Sequence, residues 1–328
     1  MGTYRFILAI LVALSHMGVS VAGGLNPGVF AVISFFLISG FVMTGLVRSH
    51  YMSLGLMPRF YLDRAARIFP QYLLFMVLTA LALALLGLES PYLEQFSSCA
   101  LWANVAVVPL DFFMFSPAIA NFMLLPQAWS LGLELMFYLL MPWLVLGRVR
   151  GLALVASLLV WGGAAFGFIH TDTWGYRLLP GTLFMFLAGS YMYDQPRPTW
   201  RHPALWLLAA LLACALALMV TGKHTLPYNR EVVGGLLVGI AALFWLVRLP
   251  RSRWDDWLGN LSYGVFLCHF LVMWLFAAAL GSPAAQPWPT RTIIAMLAVC
   301  VLLAWLGFVL VERPVLRWRH RLRQRERG

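Results

Sequence analysis

Charge is scarce in this sequence. Only 11% of its 328 residues are charged, 62% are hydrophobic, and acidic side chains number 12. A water-soluble domain of this length needs far more polar surface, so a soluble globular enzyme is excluded. Cysteine is scarce too. Cys99, Cys214, Cys268 and Cys300 lie without a paired spacing, which argues against a disulfide framework or a zinc site and reads them as buried packing residues. The chain has no glycine-rich phosphate loop, no serine-nucleophile elbow and no metal-ligand cluster, so ATP hydrolysis, serine hydrolysis and metal chemistry are disfavoured. No internal repeat, low-complexity linker or soluble extra domain is visible.

What is present is apolar chain from end to end, with a mean hydropathy of +0.83. Several runs exceed the roughly 18 residues that cross a bilayer as a helix. Leu, Phe, Trp and Met without strict alternation suit helices in lipid rather than a barrel. The pattern predicts an all-α, polytopic transmembrane bundle of about ten helices, at 6–22, 27–47, 68–88, 127–147, 151–169, 178–193, 203–221, 231–247, 257–279 and 291–311. Asn26-Pro27 is a helix start, with Asn as cap and Pro at the first position. Residues 98–126 are apolar but too short to cross comfortably, and counting them as a crossing would place Arg148 and Arg150 outside. A re-entrant segment between the third and fourth helices resolves both problems.

The net charge of +11 comes from 23 basic residues, almost all Arg. Nucleic-acid binding is the weaker reading, because basic residues also gather in cytoplasmic loops and set topology. With both termini inside, the outer loops hold Arg177, Lys223, Arg230 and Arg291, and the other basic residues fall on the inner side. The basic tail from 315 to 328 suits that side and can lie on anionic membrane lipid. The first 24 residues also resemble a secretory signal ending in "VSVAG". Retention of that segment is expected, since its apolar run carries a histidine.

An ionisable side chain inside lipid needs a reason. On this map His16, Glu134 and His269 are the deep ones. Arg5 and His16 are eleven residues apart, about three helical turns or roughly 16 Å of rise, so they project from nearly one face. That face would join a cationic mouth to an imidazole lying past the midplane and able to take a proton near neutral pH. Glu134, in "WSLGLELMFYLLMP", falls at a similar depth; it either steadies His16, is protonated, or is bonded to Trp129 and Tyr138. Arg59, Arg64 and Arg67 stand in "PRFYLDRAARIFP"; the last two share a helix face, and guanidinium pairs suit phosphate oxygens. Ser39-Gly40 reads mainly as a close helix contact. Tyr263 and His269 either line one cavity, or His269 bonds a neighbouring helix, and Glu312 is expected to pair with Arg313.

Taken in order, Arg5-x10-His16, "FFLISGF", "RAARIFPQY", "WSLGLELMFYLLMP", "LGNLSYGVFLCHFLV" and the final "ERP" resemble the acyltransferase 3 family of integral-membrane acyltransferases. The resemblance spans nearly the whole chain and implies one domain over 1–314. It departs from the family pattern at Ile33, where many members are polar, and at Leu135, where many carry a second carboxylate. It implies transfer of an acyl group, often acetyl, from acyl-CoA to a hydroxyl of a surface polysaccharide, lipid-linked saccharide or similar acceptor at the cell inner membrane. No permanently bound cofactor, metal or nucleic-acid partner is implied. His16 would be the general base or carry a transient acyl group, with Glu134 orienting it or binding the sugar. Arg5, Arg64 and Arg67 would hold the donor's phosphates. Ser39, Trp129, Tyr138, Tyr263 and His269 would line the acceptor site. The rivals are a transporter or flippase of a glycolipid or small metabolite, and a structural subunit of an export complex.

Overall fold

The computed structural model describes residues 1–195, 203–250, 252–281 and 288–317. Among them there are helices and turns but no strands, only two isolated bridges, Val21 to Leu25 and Leu93 to Phe122. The helices are α1 (Gly2–His16), α2 (Pro27–His50), α3 (Met57–Leu86), α4 (Ser98–Ala106), α5 (Pro117–Ala120) and α6 (Trp129–Leu146). They continue as α7 (Arg150–Ala165), α8 (Leu179–Asp194), α9 (Pro203–Val220), α10 (Asn229–Leu246), α11 (Arg253–Leu280) and α12 (Thr290–Gly307). Each of the ten stretches expected from hydropathy holds a helix, and seven segments among the described residues are long and apolar enough to cross a membrane. The expected basic tail lies outside the described residues from 318 onwards.

Four local expectations are corrected. α1 stops at His16 rather than 22, because Gly18 takes a left-handed conformation (φ 86°) that glycine adopts without a Cβ clash. His16 therefore sits in the last turn of a 15-residue helix and not in the interior of a longer one. α3 begins at Met57 rather than 68, so the arginine-rich stretch is itself helical and Pro70 lies within the helix. Cys99 is exposed and Cys214 half-buried; only Cys268 and Cys300 are buried. Glu312 faces Arg67 rather than Arg313, because the chain leaves α12 through a π turn, Phe308–Glu312.

The chain forms two compact units. The first comprises Met1–Val19, Pro58–Gly132 and Ser252–Gly328. In it α1 lies along α11, and α11 packs on α12. Glycine permits the first of these contacts: a Cβ on Gly2 would fall 1.8 Å from the Asp255 carbonyl oxygen. The same crossing caps α1 from outside. The Met1 ammonium, the Gly2 and Thr3 backbone N–H groups and the Thr3 hydroxyl all donate to the Asp255 carboxylate, at 2.8–3.2 Å. A carboxylate at a helix N-terminus satisfies orphan N–H groups and complements the helix dipole. Ser252 in turn caps α11 by accepting from the Asp255 N–H. Between α3 and α6 the chain makes only short helices. Asn104 ties them together, accepting from the Leu124 N–H and donating to the Ala100 and Phe122 carbonyls.

The second unit comprises Ser20–Met57 and Leu133–Arg251. α2 packs on α8 and α10, and α7 on α8. Asn26 caps α2 as expected, accepting from Gly28 and Val29. The α2–α8 crossing is closed by reciprocal glycines: a Cβ on Gly40 would meet the Phe186 carbonyl at 1.7 Å, and one on Gly189 the Leu37 carbonyl at 1.8 Å. Small residues that let backbones touch are the usual glue of helices in lipid. Phe36, Phe186 and Phe137 stack beside this crossing at centroid distances of 4.5 and 4.2 Å.

Candidate active site

In the first unit the α1–α11 packing brings His16 onto His269. The rings are nearly parallel, 11° apart with centroids at 5.0 Å, and His16 Nδ1 lies 3.0 Å from His269 Nε2. His269 is fully buried, and its Nδ1 lies 2.8 Å from the Phe266 carbonyl oxygen. Phe270 packs against both imidazoles, at 4.8 and 5.0 Å. The protonation pattern follows from the last acceptor. A backbone carbonyl can only accept, so His269 Nδ1 carries the proton. In a neutral ring Nε2 is then an acceptor, so His16 Nδ1 carries a proton and donates to it. The lone pair of neutral His16 is thereby assigned to Nε2, the nitrogen turned away from this chain of bonds.

Arg5 stands in the first turns of the same helix, so the expected spacing between a guanidinium and an imidazole is helical throughout. The other expected donor contacts lie on α3. Arg64 Nη2 is 2.5 Å from Asp63 Oδ2, and Arg67 pairs with the buried Glu312. Tyr263 lies under the Arg67 guanidinium, 5.8 Å to the ring centroid, and donates its hydroxyl to the Ile68 carbonyl at 3.0 Å. Trp129, half-buried, opens α6, directly after a turn anchored by Gln127, whose amide donates to the Phe266 and Leu267 carbonyls. Gln127 therefore grips the same stretch of α11 backbone that orients His269.

In the second unit Glu134, Ser39 and Tyr138 come together. Glu134 Oε1 accepts from the Ser39 hydroxyl at 2.6 Å and from the Tyr138 hydroxyl at 2.5 Å. The Tyr138 contact joins residues one helical turn apart, while Ser39 arrives from α2. Two short hydrogen bonds on one oxygen hold the carboxyl group in a single rotamer. Of the sequence readings of Glu134, the bond to Tyr138 is present, and Ser39 donates to the same oxygen.

Residues 3–310, which hold all of these side chains except Glu312, match the family model described as an acyltransferase domain. The chain belongs to the acyltransferase 3 family. A relative from Aquifex aeolicus (strain VF5), named only as an uncharacterized protein, is 37% identical over 160 residues, covering 46% of this chain and 71% of the relative. No solved structure matches the chain. Family membership and the seven apolar helices make it an integral membrane protein with an acyltransferase domain.

Sequence reasoning missed several residues of this acyltransferase. A bond from His269 to a neighbouring helix was one of the readings open, but that His16, 253 positions away, is its partner is announced by neither local motif. Asp63 and Glu312 were legible as carboxylates but not as the partners of Arg64 and Arg67. Gln127 carried one signal, an amide between Pro126 and Trp129 in an otherwise apolar stretch.

Proposed function

We propose that the protein is a membrane O-acyltransferase that moves an acyl group, with acetyl the first to test, from acyl-CoA to a hydroxyl of a surface polysaccharide, a lipid-linked saccharide or a similar acceptor. Family membership supports acyl transfer, and the observation that carries the assignment of the base is the bond sequence from the Phe266 carbonyl through His269 to His16. In the reaction, His16 Nε2 takes the proton of the acceptor hydroxyl as its oxygen attacks the thioester carbonyl. The carbon–sulfur bond breaks, and the departing thiolate recovers the proton from the imidazolium. His269 holds the tautomer that makes this possible. Glu134, fixed by Ser39 and Tyr138, is suited to accept hydrogen bonds from a sugar. Tyr263 and Trp129 complete the expected acceptor set. Arg5, with Arg64 and Arg67, is assigned to the donor's phosphates; the latter two would exchange bonds with Asp63 and Glu312 to reach them.

This reading carries the topology drawn from the sequence. It has ten crossings, the short helices between α3 and α6 as a re-entrant segment, and one domain over 1–314 in the inner membrane with both termini cytoplasmic. The nine-residue α4 and four-residue α5 support the re-entrant segment, since neither has the length of a span. The test is incubation of the purified protein with labelled acetyl-CoA and candidate glycans. His16→Ala should lower transfer by about 10²–10⁴-fold while the protein still inserts. Native-rate transfer by His16→Ala overturns the assignment of the base; uptake of a glycan with no release of CoA overturns acyl transfer itself.

A further inference from the structure

One end of the second unit gathers positive charge that the reaction above does not use. Arg48 stands in the last turn of α2, Arg148 in the link between α6 and α7, and Arg150 at the first position of α7. The three line a cavity of about 370 Å³ together with Tyr191 of α8. Among the described residues a single carboxylate, Asp194, answers them: its Oδ2 accepts from Arg48 Nη2 at 2.8 Å and from Arg150 Nη2 at 2.6 Å. Arg150 is further fixed by donating to the Ser190 hydroxyl at 2.7 Å and by lying over the Tyr191 ring at 5.0 Å. Its side chain is only 12% exposed, so it is a built-in element of the cavity wall. Arg148 has no carboxylate partner among the described residues and is exposed. It also takes a left-handed backbone conformation, φ 55°, that a residue with a Cβ seldom adopts.

Topology alone does not require this arrangement. Arginine anywhere on the inner side satisfies the positive-inside rule. Here three guanidinium groups converge on one concavity with one counter-charge, a local surplus of about two positive charges, beside the start of α7, which has no side-chain cap. Forked guanidinium donors held by neighbouring side chains match phosphate oxygens in geometry and charge. We propose that Arg48, Arg148 and Arg150 form a binding site for a phosphomonoester or diphosphate group, distinct from the arginines of α3. The same chemistry is offered by a soluble nucleotide-type donor and by an anionic lipid headgroup.

The inference stands independently of acyl transfer, and its test reads binding alone. The full chain in nanodiscs of neutral phosphatidylcholine is titrated calorimetrically with inorganic pyrophosphate. The native protein should bind, and added salt should weaken the binding. Arg148→Gln, at an exposed position away from the ion pairs, should weaken it about tenfold. Asp194→Asn, which removes the counter-charge, should tighten it, an outcome that general damage to the fold would not produce. Competition by CoA would assign the site to a soluble donor. Loss of pyrophosphate binding when phosphatidic acid is added to the nanodiscs would assign it to a lipid headgroup. No binding to the native protein, or unchanged affinity in both variants, overturns the proposal.

Discussion

The two units treat arginine differently. On α3 each motif arginine has a carboxylate of its own: Arg64 has Asp63, and Arg67 has Glu312, whose side chain is 4% exposed. At the α2–α7 end of the second unit two arginines share the single carboxylate of Asp194 and a third adds its charge beside them. The excess of basic over acidic residues is therefore not spread evenly. Locally neutral pairs can be buried among helices, because the desolvation cost of each ion is offset by its partner. A surplus is held without such cost only where water or an anion reaches it, and the cavity at Arg148 provides that access.

Three sets of substitutions, five in all, test these contacts, and the first bears directly on the contrast. Glu312→Gln removes a buried carboxylate from Arg67 and should have the largest effect, a loss on the order of 3 kcal/mol read by denaturation in detergent, whereas Arg48→Gln, at a pair whose arginine is 42% exposed, should change stability by about 0–1 kcal/mol. Equal losses in the two variants would remove the distinction between the units. Next come Ser39→Ala and Tyr138→Phe. Each deletes one hydrogen bond to the Glu134 carboxylate and should weaken the acceptor side of the reaction, raising its KM by about tenfold with donor KM unchanged. A change confined to the acyl donor would place Glu134 with the donor instead. A more local effect is expected from Asp255→Ala, which uncaps α1 and should cost about 1 kcal/mol, visible as faster amide exchange over Gly2–Arg5. Unchanged exchange there would mean that packing against α11 alone holds the helix start.

The helices were legible because hydropathy acts locally: apolar runs of sufficient length form helices whatever surrounds them. The Asn26 cap, the Gly40 contact and the Tyr138 bond to Glu134 were legible for the same reason, each depending on residues within about one turn or on the size of a single side chain. The end of α1 was hidden because the run "MGVSVAGG" stays apolar while Gly18 turns the backbone. The start of α3 was hidden because "MPRFYLDRAARIFP" carries charges that hydropathy counts against a helix, although they are neutralised in place or lie toward its end.

Chain composition alone settled that this protein resides in lipid, where its apolar runs lie, and which rare polar side chains had to be explained, because transfer of such groups into hydrocarbon is costly wherever they stand. Which partner each of them meets was settled only by tertiary packing. His16 on His269, Arg67 on Glu312, and Arg48 with Arg150 on Asp194 are contacts between helices distant in sequence. A hydrogen bond depends on tenths of an ångström and on which ring nitrogen holds a proton, and those are set by how two helices cross, which no periodicity in a single helix encodes.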